Sequence, residues 1–234
     1  MKLKFSFLVG ALAPAILGVA PAIAEPIIWS VQVEENEYRI SEGDGVYAWD
    51  FDAFIGSDEL KVVYRGEGEY VFGEDNFETF ENQLRIQTPI STFWDLAAGV
   101  RVDTASGPNQ VFGVIGLHGL GEQFLEVDLD FFIADDPSLR FEVEYEGLIT
   151  QRITLTPVIE VDLPFTDNPD FGKGQFAPEL ELGLRLSYDL IDRAVSPYIG
   201  VFYERSFGET SLLTQSEGDN PGEVSFVVGA RLQF

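Results

Sequence analysis

The sequence predicts an all-β fold, an antiparallel transmembrane β-barrel of about 12 strands, and three observations carry that prediction. The last residues alternate strictly: Val224, Phe226, Val228, Ala230, Leu232 and Phe234 share one strand face, and Glu223, Ser225, Val227, Gly229, Arg231 and Gln233 share the other. The same alternation recurs along the chain, interrupted by Gly, Asp, Asn, Pro and Ser. The connections also alternate in length. Those near 56–58, 89–92, 120–122, 149–151 and 191–194 are short, whereas 164–174 and 209–222 are the longest and fall on the opposite parity, as periplasmic turns and outer loops would.

Taken in order, Lys2 and Lys4 precede an apolar run from Phe5 to Val19, and Ala22-Ile23-Ala24 supplies the small residues of a cleavage site. Residues 1–24 therefore read as a secretory signal peptide, with a mature chain beginning at Glu25. Residues 25–33 (EPIIWSVQV) have no clear partner and read as a short periplasmic lead-in, and the barrel is expected over 34–234. No segment after the leader approaches the roughly 18 uninterrupted apolar residues of a membrane-spanning helix. If the chain spans a membrane, it does so with strands.

The expected strands lie near 34–41, 45–55, 59–72, 76–88, 93–103, 109–119, 123–133, 138–148, 152–163, 175–190, 195–208 and 223–234. No helix-period segment competes with them. Over 123–133, Leu125, Val127, Leu129, Phe131 and Ile133 alternate with Glu126, Asp128, Asp130 and Phe132. Over 138–148, Leu139, Phe141, Val143 and Tyr145 alternate with Arg140, Glu142, Glu144 and Glu146. Over 175–190, Leu180, Leu182, Leu184, Leu186 and Tyr188 oppose Glu179, Glu181, Gly183, Arg185, Ser187 and Asp189. The final strand, about 11 residues long with an apolar outer face, suits a tilted wall crossing the hydrocarbon layer. Its terminal Phe234 resembles the assembly signal of bacterial outer-membrane proteins.

Alternation alone also fits a secreted soluble β-sandwich, which has one dry and one wet face. Loop alternation, Phe234 after a leader, and aromatics near strand ends (Tyr47, Trp94, Phe124, Tyr188, Tyr198, Tyr203) favour the membrane barrel, whose interfaces carry aromatic girdles. About 210 residues after the leader suffice for 10 to 12 strands at roughly 17 to 20 residues per strand and connection.

Losing Lys2 and Lys4 takes the formal charge from −26 to −28. So acidic a chain repels nucleic-acid backbones and attracts cations, so nucleic-acid binding is excluded. There is no cysteine, Met1 is the only methionine and His118 the only histidine, so soft metal ligands are nearly absent.

Strand parity turns Asp50, Asp52, Glu67, Glu69, Glu81, Glu126, Asp128, Asp130, Glu142, Glu144, Glu160, Asp162, Glu179 and Glu181 inward. Residues i and i+2 of a strand lie about 6.5 to 7 Å apart, close enough for neighbouring carboxylates to share a hard cation or pass it along. The candidate metal-binding residues are accordingly the pairs Asp50/Asp52, Glu126/Asp128, Glu142/Glu144 and Glu179/Glu181, with His118 as the one imidazole. Walls charged with one sign select ions of the other. The competing reading is structural: Arg39, Arg65, Arg85, Arg101, Arg140, Arg185 and Arg231 share the inner face, and buried charges are normally paired. His118, beside Gly116, Gly119 and Gly121, is equally read as a hydrogen-bonded or interfacial histidine.

No enzyme is expected. His118 has no recognisable nucleophile motif beside it, and the acids recur on almost every strand rather than gathering at one cleft. Gly66-Glu67-Gly68 and the glycines from Gly113 to Gly121 lack the strand–turn–helix setting of a phosphate loop and are read as relief where a barrel bends.

Several stretches together resemble the copper resistance protein B family: Trp49-Asp50, residues 91–101 (STFWDLAAGVR), 124–128 (FLEVD), 148–152 (LITQR), 180–185 (LELGLR), 196–201 (SPYIGV) and 204–208 (ERSFG). The resemblance is collinear from about residue 34 onward. It implies an outer-membrane barrel of Gram-negative bacteria, in contact with outer-membrane lipids, associated with copper tolerance and working beside a periplasmic multicopper oxidase and copper carriers. Many members carry a Met- and His-rich segment before the barrel; here the residues between Glu25 and the barrel contain neither. Copper handling is therefore expected of the barrel itself, whose carboxylate oxygens suit Cu(II) and disfavour Cu(I). A general cation-selective porin is the alternative function.

Overall fold

The computed structural model describes residues 26–234 apart from 42, 44, 74, 106–107, 192 and 218–219. The expected leader and its boundary at Glu25 lie outside the described residues. The chain folds into thirteen strand segments: β1 (Ile28–Ile40), β2 (Val46–Gly56), β3 (Lys61–Val71), β4 (Asn76–Pro89), β5 (Trp94–Asp103), β6 (Gln110–Leu120), β7 (Leu125–Ile133), β8 (Ser138–Tyr145), β9 (Gly147–Leu148), β10 (Ile153–Pro164), β11 (Glu179–Tyr188), β12 (Val195–Ser206) and β13 (Gly222–Gln233). Segments β8 and β9 both pair with β10 and make one wall. The ladder breaks between Val158↔Glu144 and Leu155↔Gly147, where Pro157 has no N–H to donate. Twelve antiparallel walls result, each paired to the next in sequence.

The sheet closes on itself. Strand β13 pairs back to β1, with Gln32↔Gln233 and Tyr38↔Val228, and Phe234 exchanges backbone hydrogen bonds with Val31 at 2.9 and 3.0 Å. A sandwich has two sheets and open edges; this closed sheet has neither, so the soluble β-sandwich reading is withdrawn.

Burial is inverted relative to a soluble protein. Tyr38, Leu84, Ile86, Ile115, Leu184, Ile199, Phe226 and Val228 are exposed on the outside, while the largest fully buried side chains include Arg85, Glu37, Glu81 and Asp130. Such an arrangement is stable only where the outer solvent is hydrocarbon, which places the barrel in an outer membrane. Two inward-facing apolar groups interrupt the polar interior: Phe112, Val114 and Phe132, and Tyr198, Phe202 and Val227.

The expected strands and loop parity agree closely with these bounds, and the differences have local causes. Strand β1 begins at Ile28, so most of the expected lead-in is already barrel wall, paired from Ile28↔Gly56 to Val33↔Phe51. The register shifts between Val33 and Glu35, leaving Glu34 as an extra residue. This bulge flips the alternation and hides the first half of the strand from a period-two reading. The expected loop at 209–222 holds a helix, α1 (Gly208–Glu217), entered through Gly208 at φ 58°. Its sequence GETSLLTQSE is polar around most of its circumference and so gives no helical period. Buried Thr210 docks it against the other long loop, donating to the Ala177 carbonyl at 3.1 Å and accepting from the Gly174 N–H at 3.0 Å. Tyr198, expected in an interfacial girdle, instead points into the lumen.

Candidate functional site

Everything chemically distinctive about the barrel lies in its lumen. The β1 bulge turns two consecutive acids inward: Glu34 accepts from Gln32 at 2.9 Å, and Glu35 pairs with Arg39 and Arg185. Glu37, two residues on, accepts from Arg39 Nε, both Arg185 Nε and Nη2, and the Tyr198 hydroxyl, all at 2.8 to 2.9 Å. None of these three acids stands among the residues singled out from sequence. The signal was present as EENE, but the bulge makes strict parity misassign it.

Arginines knit the walls together. Arg65 on β3 holds Asp52 on β2 and Asp128 on β7, both at 3.0 Å. Arg140 on β8 holds Glu160 and Asp162 on β10 at 3.0 and 3.1 Å, and reaches Glu67 on β3 at 2.7 Å and Glu81 on β4 at 3.5 Å. Arg101 pairs with Glu81 at 2.7 Å and Asp103 at 2.8 Å, with its guanidinium 4.3 Å above the Phe132 ring. Arg39 lies 3.6 Å over Phe202 and pairs with Glu69. Arg231 takes Glu144 and Glu146 at 3.0 and 2.8 Å. The inward apolar rings thus serve as platforms that orient guanidinium groups.

Among the described residues, two cavities between these bridges gather the acids. One, of about 110 Å³, is lined by Glu34, Asp52, Glu126, Asp128, Glu142 and Glu144 with Arg65 as its single cation. The other, of about 60 Å³, is central and includes Glu35, Asp50, Glu67, Glu69, Glu181, Arg65 and Arg140 in its lining. Of the nine candidate metal residues, the first cavity gathers Asp52, Glu126, Asp128, Glu142 and Glu144. Asp50 and Glu181 line the central one, together with Glu142. Glu179 stands apart towards the outer loops, 4.0 Å from Lys173.

His118 lies in the lumen with both ring nitrogens engaged: Nδ1 is 2.9 Å from Asp128 and Nε2 is 2.9 Å from Asp130, which Arg85 also holds at 2.7 Å. Gly116 makes this possible, since a Cβ there would stand 2.0 Å from the Asp130 carboxylate and 2.6 Å from the imidazole. The ring has no free lone pair to offer unless one of its carboxylate contacts breaks. Among the described residues, no three His, Cys, Asp or Glu side chains are already clustered as a metal-binding group. The donor set is carboxylate oxygen partly neutralised by arginine. It attracts cations and repels anions, and it offers hard rather than soft ligands.

Comparison with known proteins agrees with this geometry. The family model described as copper resistance protein B precursor (CopB) matches residues 27–234. Copper resistance protein B of Escherichia coli is 33% identical over 210 residues, covering 89% of this chain and 70% of that protein. The copper resistance protein B homolog of Pseudomonas syringae pv. tomato is 32% identical over 203 residues, covering 86% and 68%. Among solved structures, the NanC porin superposes with a TM-score of 0.53 at 13% identity, over 88% of this chain and 99% of that one, a likeness of fold alone. With the family model spanning the whole barrel and collinear relatives over most of the chain, this protein belongs to the copper resistance protein B family.

Proposed function

We propose that this barrel serves copper tolerance at the outer membrane by taking up Cu(II) on, or passing it along, the carboxylates of its lumen, with no chemical step. The observation that carries the reading is the cavity in which six carboxylates from β1, β2, β7 and β8 face one arginine, within a chain of the copper resistance protein B family. Copper is the cargo here, and the ligands available are oxygens, which accept Cu(II) and serve Cu(I) poorly. A periplasmic multicopper oxidase and copper carriers are the partners that such a role would have on the inner side.

Two measurements test this. A strain lacking the protein should differ from its parent in copper sensitivity and cell copper content; indistinguishable strains would overturn the role in copper tolerance. Calorimetry on the purified barrel should give weak Cu(II) binding that Zn(II) or Ca(II) in excess displaces. That binding should be reduced by neutralising Glu126 with Asp128 or Glu142 with Glu144, and be little changed by His118→Ala. Tight Cu(I) binding, or complete loss on His118→Ala, would place the chemistry elsewhere. A general cation-selective porin would show ion flux without preference for copper.

A further inference from the structure

Three of the lumenal arginines cross the barrel: Arg65, Arg140 and Arg231, the last reaching from β13 to Glu144 and Glu146 of the β8 wall, four walls away. Counting walls around the closed sheet, Arg140 on β8 reaches Glu67 five walls away, where six would be diametrically opposite, and Arg65 on β3 reaches Asp128 four walls away. These two reach in opposite directions at successive levels. Arg65 also lines both cavities and so stands between them.

Arg231 has both its ion-pair partners on the far wall, whereas Arg65 and Arg140 each have a second partner on their own side. Arg65 sits directly across the ladder from Asp52, which it holds at 3.0 Å, and Arg140 sits directly across from Asp162, which it holds at 3.1 Å. Most of the far-side acids are doubly served as well: Asp128 is held by His118 at 2.9 Å, and Glu81 by Arg101 at 2.7 Å. Either of these two guanidinium groups, on letting go of the far wall, therefore keeps a partner, and so do Asp128 and Glu81. The severe penalty for stranding a buried charge, which locks ordinary internal ion pairs, is largely absent here.

The geometry points to a gate: Arg65 and Arg140 are two swinging bars that close the lumen to ions in this state, and return of the bars to their own walls opens a cation path. Glu67, the one far-side acid held by a bar alone in the ion pairs described, lies in ladder register between Asp50 and Glu81. Withdrawal of Arg140 thus exposes a row of carboxylates, and the opened path selects cations.

The test uses the full-length barrel in planar bilayers with potassium chloride alone, so its outcome is independent of any copper reading. The wild-type protein should show small or rare conductance steps. Arg140→Gln and Arg65→Gln should each raise conductance severalfold, with a reversal potential in a salt gradient that reports cation preference, and Arg193→Gln at the periplasmic rim should not. Should Arg140→Gln fail to assemble, as judged by unchanged gel mobility on boiling, Glu67→Gln releases the same bar from the other end and should give the same increase. Wild-type conductance already equal to that of the variants, no increase in the assembled variants, or an equal increase in Arg193→Gln would each overturn the gate.

Discussion

Replacing Glu37 by glutamine should loosen the barrel where it closes on itself. Glu37 is fully buried on β1 opposite Gly229 of β13, and the donors that surround it come from β1, β11 and β12, so its carboxylate ties both sides of the closing seam. A carboxylate accepts all four hydrogen bonds; an amide of the same shape turns an NH₂ towards donors on one side, so about half of those contacts become repulsive. Breaking a buried ion pair from one end costs about 3 to 5 kcal/mol. The lower figure applies here, because Arg39 keeps Glu35 and Glu69 and Arg185 keeps Glu35, so neither guanidinium is stranded. About 3 kcal/mol is roughly a hundredfold in the folding equilibrium. Urea unfolding of the barrel in lipid vesicles, followed by tryptophan fluorescence, should show a midpoint lowered by about 1 M or more at a slope near 3 kcal/mol per M. Tyr198→Phe removes a single bond to the same carboxylate and should cost less, about 1.5 to 3 kcal/mol. A Glu37→Gln loss below about 1 kcal/mol, or one smaller than that of Tyr198→Phe, would refute the seam argument.

Gly68→Val should reduce assembled barrel, because a Cβ at Gly68 would lie 2.2 Å from the indole of Trp49, which packs flat across it on the lipid face; the double variant with Trp49→Ala should recover assembly, and a Gly68→Val barrel that assembles normally would refute the packing. Val228→Asp places a charge on the outward face opposite Tyr38 and Ile199 and should lower assembly by up to about 2 kcal/mol, whereas Val228→Leu should be silent; equal yields would mean that this face does not meet lipid. Mass spectrometry of protein from outer membranes should find Glu25 at the N-terminus, and an intact Met1 would refute the leader.

The walls were legible because a membrane barrel writes its two solvents into alternate residues: Leu180 to Arg185 or Leu125 to Asp130 admit a single division into lipid-facing and lumen-facing sets. Legibility failed wherever a local device breaks that period. The bulge at Glu34 concealed Ile28 to Val33 as wall and concealed the acids that follow. The helix Gly208–Glu217 is held by one buried threonine rather than by an apolar face, so no pattern announced it. Tyr198 occupies an aromatic's usual place near a strand end, but its partner Glu37 lies 161 residues away in sequence, and no local reading connects them. The candidate metal residues fared in the same way: parity turned them inward together, but which of them share a cavity depends on barrel shear and on where arginines intervene.

The mixture of acids and arginines also bears on selectivity. A lumen of carboxylates alone would repel itself and, once filled, would hold divalent ions too firmly to release them, whereas conduction needs sites that are favourable to enter and easy to leave. Arginine supplies the balance, because each guanidinium is a tethered cation that competes with any ion arriving at Asp52, Asp128 or Glu67. An incoming ion must replace that cation's charge and its hydrogen bonds. A divalent ion that binds carboxylate oxygen strongly does so better than a monovalent one, and among common divalent ions at such sites Cu(II) stands highest in the order of intrinsic affinity. On the proposed copper reading, the arginines would raise the affinity that an arriving cation needs, a bias toward strong carboxylate binders that still lets Zn(II) or Ca(II) in excess compete.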